Sequence, residues 1–270
     1  MNQKLIAIDL DGTTLNTQQK ISKRTIRVIK ALQEAGHLVT IVTGRPYRTS
    51  FNYYQDLGLK TPMVNFNGAY CHHPQEKNWS PGYRITLPSD VVSELFRLKH
   101  NDKVKLVSAE VDDSVYTSSH YIPYPDFFPH GPGQAKYLGN QVFNQEATCV
   151  NVFTQDKYLQ RKLEKEIIAD YGNFVEVRTW GGFAPCLEIV SSGTQKAMGL
   201  EQVAKYYGID RDDILAFGDE NNDYEMIQYA GIGVAMNNAI LPLKEIANDI
   251  TPYSNDEDGL ARYLEDYFNV

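Results

Sequence analysis

An apolar strand that runs straight into two carboxylates constrains this chain more than any other feature. It reads Leu5-Ile6-Ala7-Ile8-Asp9-Leu10-Asp11, with Gly12-Thr13 following at once. Residues 6–10 have the character of a strand covered on both faces. An acidic side chain inside such a run is unfavourable unless it ends the strand or meets a cation. Spaced i, i+2 in extended backbone, Asp9 and Asp11 fall on one side of the strand. Gly12 then permits a sharp turn away. The pair is therefore expected at the carboxyl end of a strand, where open α/β sheets place their chemistry. Taken alone, Asp-Gly is a common turn signal.

Three further segments argue for more than a turn. Leu38-Val39-Thr40-Ile41-Val42-Thr43-Gly44-Arg45 has the same layout, an apolar strand ending in a hydroxyl, a glycine and a cation. Pro46 suits the first turn of a helix. A hydroxyl and free backbone amides at such a junction suit a phosphate. In Ile214-Leu215-Ala216-Phe217-Gly218-Asp219-Glu220-Asn221-Asn222-Asp223 a third apolar strand ends in a carboxylate, and the polar cluster continues into a helix near Asn221. A solvated loop explains that charge but not its repetition at a third strand end. Lys196 lies at the start of a helix with Ala197, Leu200, Val203 and Ala204 on one stripe. The helix dipole slightly disfavours a cation there, so its assignment depends on the other three segments.

Together these segments resemble the haloacid dehalogenase superfamily of phosphohydrolases, and within it the Cof-type branch. Asn65-Phe66-Asn67-Gly68-Ala69 and Gly231-Ile232-Gly233-Val234-Ala235-Met236-Asn237-Asn238-Ala239 are further phrases similar to that branch, and Ala197 departs from its usual Gly after the lysine. The resemblance implies a Rossmann-like parallel-sheet core with a large inserted α+β cap. It implies Asp9 as nucleophile, forming an aspartyl-phosphate, and Asp11 as acid and base. Mg²⁺ would be held by the Asp9 carboxylate, the Asp11 carbonyl and Asp219, with Asp223 supporting the metal or orienting Lys196. Thr43, Gly44, Lys196, Asn222 and the Leu10 amide would hold the phosphoryl group.

Composition agrees with an enzyme of two domains. A chain of 270 residues is long enough for both. A net charge of −8 without a long basic run argues against nucleic acid. No apolar stretch approaches membrane-spanning length, which excludes aspartyl-phosphate ion pumps. The N-terminus reads as lacking a signal peptide. Cys71, Cys149 and Cys186 are odd in number and scattered, as expected of reduced thiols in the cytoplasm. The six histidines show no metal-ligand spacing with carboxylates.

Along the chain, Ser22 is a helix cap before Ile26, Ile29 and Leu32. Strands are expected at 38–42 and 63–66, a helix at 46–57, and a turn at Asn67-Gly68. That is a β-α-β-α-β half of a parallel sheet. Strands at 214–217 and 232–235 and a helix at 256–268 belong to the other half. Between them the pattern changes. It gives helices at 88–100 and 156–171 and strands at 104–109, 114–118, 148–153, 174–179 and 185–190, an inserted α+β unit. The expected division is a core of 1–82 and 187–270 with a cap of 83–186. Specificity is expected in the cap, at the Pro/Gly/aromatic stretch 121–133 and at 178–182, although the latter reads first as a turn. Arg45 is weighed between a substrate contact and a helix-start salt bridge.

The expected activity is Mg²⁺-dependent hydrolysis of small phosphorylated metabolites such as sugar phosphates or phosphorylated cofactors. The alternatives are a phosphotransferase or phosphomutase with the same intermediate, and a non-catalytic phosphometabolite-binding regulator. The second conflicts with the presence of both Asp9 and Asp11. Oligomeric state is not legible.

Overall fold

Strand β1 (Leu5–Ile8) is buried at every residue, as its unbroken apolar run requires. Helix α1 (Lys23–Glu34) begins where the Ser22 hydroxyl accepts the Thr25 N–H at 3.1 Å, and it buries Val28, Ile29 and Leu32. Strand β2 (Leu38–Ile41) pairs parallel with β1. Helix α2 (Tyr47–Asp56) follows Pro46. Strand β3 (Met63–Asn65) departs from expectation. A single parallel bridge, Val42 to Val64, ties it to the segment after β2, and it otherwise pairs antiparallel with β4 (Tyr70–His72). The cause is local: Phe66, Asn67 and Gly68 have φ of 51°, 55° and 102°, which reverses the chain at the expected turn. The two-residue strand β5 (Tyr83–Arg84) completes this small sheet.

This computed structural model describes residues 2–112, 114–122, 128, 135–139, 141–179 and 184–270. The chain divides into two units, Met1–Pro46 with Ser50–Tyr83 and Gln195–Val270, and Tyr47–Thr49 with Arg84–Thr194.

The second unit holds α3 (Ser89–Arg97), β6 (Val104–Val111), β7 (Ser114–Thr117), β8 (Ala135–Tyr137), β9 (Cys149–Thr154), α4 (Lys157–Tyr171), β10 (Val175–Thr179) and β11 (Cys186–Ser191). The strands form one sheet in the order β10-β11-β9-β6-β7-β8. The helix expected over 88–100 stops at Arg97 and tightens into a 3₁₀ turn, Leu98–His100. Strand β11 is hydrogen-bonded to β9 and β10, and the first unit resumes at Gln195. On one face, Val91, Val92, Leu95 and Phe96 of α3 and Leu159, Leu163 and Ile167 of α4 pack on Val107, Ala109, Val150, Val152, Leu187 and Ile189. Arg178 lies within β10, not in a turn. Most of 121–133, and 180–182, lie outside the described residues.

The chain returns to the first unit through α5 (Lys196–Tyr207), β12 (Ile214–Gly218), α6 (Tyr224–Tyr229), β13 (Ile232–Ala235), α7 (Leu241–Ile246), β14 (Asp249–Ile250) and α8 (Gly259–Phe268). Helix α8 starts later than expected because Asp258 takes a left-handed φ of 61° after a 3₁₀ turn at Asn255–Glu257. The resulting sheet, β14-β13-β12-β1-β2, is parallel throughout. β1 lies between β12 and β2, so the segments leaving their carboxyl ends are neighbours. Among the described residues no helix is long and apolar enough to cross a membrane.

Candidate active site

Asp9 is the first residue beyond β1 and still donates its N–H to Phe217 O of β12 at 3.1 Å. The chain then leaves in a tight turn, Leu10–Thr14. The Leu15 N–H closes it on Leu10 O at 2.8 Å, and the Thr14 hydroxyl donates to Asp9 O at 2.5 Å. Gly12 is required on two counts. Its φ is +69°, and a Cβ there would lie 2.1 Å from Asp219 Oδ2. The loop after β1 is thus pressed against the carboxylate after β12.

Lys196, at the start of α5, is fully buried and joins two carboxylates. Its Nζ donates to Asp9 Oδ1 at 2.7 Å and to Asp223 Oδ1 at 2.6 Å. A Cβ at Gly68 would lie 2.1 Å from Gln195 O, so that glycine lets the start of α5 come close. Asp223 Oδ2 accepts the N–H groups of Asp219 at 2.9 Å and Glu220 at 3.1 Å. Thr13 Oγ1 donates to Asp219 Oδ1 at 3.0 Å. Burial would lower the Lys196 pKa, but the Asp223 and Asp9 carboxylates more than offset it and hold the group above its ordinary value. Burial pushes Asp9 up to about 7 against the pull of Lys196, with the charges of Asp223 and Asp11 adding to the rise. Asp219 is pushed up to about 8 by burial and by the Asp9 and Asp223 carboxylates.

The strand ends at Ile8, so Asp11 falls inside the turn that follows, and its charge still acts on Asp9. Its half-exposed carboxylate is gripped by Arg45, with Nε to Oδ2 at 2.7 Å and Nη2 to Oδ1 at 2.6 Å. Arg45 Nη2 also donates to Gln19 Oε1, and the guanidinium lies over the Tyr53 ring, 5.3 Å from its centre. The salt bridge considered for Arg45 is therefore made to Asp11.

Thr43 is fully buried after β2. Its N–H donates to Val64 O at 2.9 Å, and its hydroxyl accepts the Arg45 N–H at 3.2 Å. A residue without a role in the sequence reading links the expected phosphate-binding groups. Asn67 donates its N–H to Thr43 O at 3.1 Å and accepts from Asn222 Nδ2 at 2.9 Å. A Cβ at Gly44 would lie 3.0 Å from its Oδ1. The signal was the Asn-Gly pair, read as a turn and as part of a phrase shared with the branch, with no role given to Asn67. Thr13 was likewise read only as part of the first motif.

Asp9, Asp219 and Asp223 offer carboxylate oxygens within 4.8 Å of one another. Three carboxylates against one ammonium leave excess negative charge, which adds to the rise that burial causes at Asp9 and Asp219. An all-oxygen donor set with that charge fits a hard divalent cation such as Mg²⁺. Lys196 and two amides already occupy the Asp223 oxygens, which leaves Asp9 and Asp219 as the better-placed donors.

The family model for haloacid dehalogenase-like hydrolases matches residues 6–264. A relative, the 5-amino-6-(5-phospho-D-ribitylamino)uracil phosphatase YitU of Bacillus subtilis (strain 168), is 42% identical over 267 residues, 98% of each chain. A haloacid dehalogenase-like hydrolase from Bacteroides thetaiotaomicron superimposes with a TM-score of 0.83 at 26% identity, over 99% of this chain and 100% of that one. A Thermotoga maritima protein does so with a TM-score of 0.81 at 25% identity, over 98% and 97%. A parallel sheet with acidic strand ends around a buried lysine, matched along its length by that model, belongs to the haloacid dehalogenase-like hydrolases. Within the family the chain is a phosphoric monoester hydrolase.

Proposed function

We propose that this enzyme is a Mg²⁺-dependent phosphatase that attacks small phosphorylated metabolites with Asp9. The observation that carries the reading is the buried Asp9 carboxylate, ion-paired to Lys196 at 2.7 Å within an acidic cluster. A buried lysine beside it favours the charged, nucleophilic form. In the first step Asp9 forms a bond to phosphorus, the ester P–O bond breaks, and Asp11 protonates the departing alkoxide. In the second, Asp11 takes a proton from water, whose oxygen attacks the same phosphorus, and phosphate leaves with Asp9 restored. Thr43, the Gly44 amide, Lys196, Asn222 and the Leu10 amide hold the phosphoryl oxygens. Asp223 acts through Lys196 and the loop after β12. Mg²⁺, held by Asp9, Asp219 and the Asp11 carbonyl, would supply charge neutralisation for the phosphoryl group.

The second unit is assigned the role of a cap that selects substrates, and the enzyme a place in the cytoplasm. Three free, buried cysteines support that compartment. The substrate class follows the 42% identical relative, a phosphate monoester on a polyol chain bearing a pyrimidine. The test is phosphate release, with and without Mg²⁺, from 5-amino-6-(5-phospho-D-ribitylamino)uracil and from a panel of sugar phosphates. Preference for the first supports the substrate class. Equal or better turnover of the sugar phosphates removes it, and full activity after exhaustive chelation removes the metal.

A further inference from the structure

Two adjacent asparagines, Asn237 and Asn238, lie just beyond the carboxyl end of β13, the edge of the sheet at which Asp9 and Asp219 stand. The chain leaves β13 with the Met236 N–H on Gly218 O at 2.9 Å. It turns as the Ala239 N–H meets Met236 O at 2.9 Å, and it returns with the Ile240 N–H on Asp219 O at 3.0 Å. Both asparagines are exposed at the tip, so packing does not demand either. Asparagine in a turn ordinarily bonds its own backbone a residue or two away. These two reach further. Asn237 serves the loop after β14, its N–H donating to Thr251 Oγ1 at 2.9 Å and its Nδ2 to Pro252 O at 2.8 Å.

Asn238 turns the other way. Its Nδ2 donates to Gly12 O at 2.8 Å, across 226 residues of chain, and its Oδ1 accepts the Asn255 N–H at 3.0 Å. Asn255 in turn donates from Nδ2 to Leu15 O at 2.9 Å. A side-chain amide offers a donor and an acceptor at once, and here each holds a different backbone segment. The first contact closes a ring of hydrogen bonds around Asp219. Thr13, next to Gly12, donates its hydroxyl to Asp219 Oδ1 at 3.0 Å. Ile240, two residues beyond Asn238, donates to the Asp219 carbonyl. Asp219 is thus held at both its carboxylate and its backbone, and Asn238 ties the two holders together. The tie falls on Gly12, the residue of the turn with most conformational freedom to lose.

We propose that Asn238 is a positioning residue that holds the Gly12–Thr13 peptide against Asp219 and so tunes the candidate metal site to Mg²⁺ over Ca²⁺; this rests on the metal-dependent phosphatase reading above. Two of the donors assigned to the metal, the Asp11 carbonyl and the Asp219 carboxylate, belong to the two segments that the ring locks together. Mg²⁺ demands near-ideal octahedral geometry at short distances, whereas Ca²⁺ accepts more ligands in looser arrangements. A site whose donor spacing is fixed favours the first ion, and a slackened one loses that preference before it loses binding altogether.

The test titrates Mg²⁺ and Ca²⁺ calorimetrically into the chelator-stripped full chain, wild type, Asn238→Ala and Asn238→Asp. Because Asn238 is exposed, both variants keep the fold, with melting temperatures within a few degrees of wild type. In Asn238→Ala the Kd for Mg²⁺ rises about fivefold, the contribution of one hydrogen bond, and that for Ca²⁺ less than about twofold. Asn238→Asp keeps the acceptor for the Asn255 N–H and loses the donor to Gly12 O. Its added charge alone would tighten both ions, yet its preference for Mg²⁺ falls as in the alanine variant. Equal weakening of both ions, an unchanged ratio, or a wild-type ratio in Asn238→Asp overturns the proposal. Loss of the fold in both variants makes Asn238 merely structural and overturns it too. If wild type binds no Mg²⁺, the metal reading falls and takes the proposal with it.

Discussion

Arg45 holds both carboxylate oxygens of Asp11, at 2.7 and 2.6 Å, while Asp9, two residues earlier, is held by Lys196. The two carboxylates thus hold different cations, Asp11 half-exposed and Asp9 buried. Bidentate geometry fixes orientation as well as charge.

Replacing Arg45 by Met frees Asp11 to rotate. Turnover of alkyl phosphates, whose leaving groups need a proton, is expected to fall by about tenfold or more, and that of aryl phosphates by less. Steady-state kinetics on a matched pair checks this. Equal losses would assign Arg45 to phosphate binding instead.

The metal-free cluster sets a pH dependence. Asp9 and Asp219 sit at about 7 and about 8, so near neutrality protons compete with a cation for their oxygens. Mg²⁺ affinity should therefore rise between pH 6 and 8. The stability sign follows. Carboxylates raised on folding bind more protons in the native state, so their contribution is full below the unfolded value near 4 and is lost as pH rises through 7 to 8. Melting curves in chelator should fall over that range, and the gain on adding Mg²⁺ should grow. A gain that is flat with pH would contradict the coupling.

Asn67→Gly separates backbone from side chain. Gly tolerates the φ of 55°, so the fold is expected to survive with a melting temperature shifted by a few degrees. The hydrogen bond to Asn222 Nδ2 is lost, and kcat should fall about tenfold. Unchanged kcat would make Asn67 a turn residue only.

Much of this was legible because the apolar strands 5–8, 38–41 and 214–218 each carry their polar residues at one end, which fixes the sheet and its active edge together. Lys196 was legible only through its order among the motifs, since a lone lysine at a helix start carries no signal of burial. Two departures share a cause. The pairing of Met63–Asn65 and the start of α8 were decided by left-handed residues, Phe66, Asn67 and Asp258, that local periodicity does not encode.

The division of labour between Asp9 and Asp11 is tested most directly by Asp11→Asn. Its amide cannot protonate an alkoxide or activate water, while Asp9 remains able to attack. Rapid-quench kinetics on an aryl phosphate, with mass spectrometry of the protein, should show a burst of phenol and a phosphoryl group retained on Asp9, whereas alkyl phosphates scarcely react. Equal loss on both substrates with no phosphorylated Asp9 would contradict the mechanism.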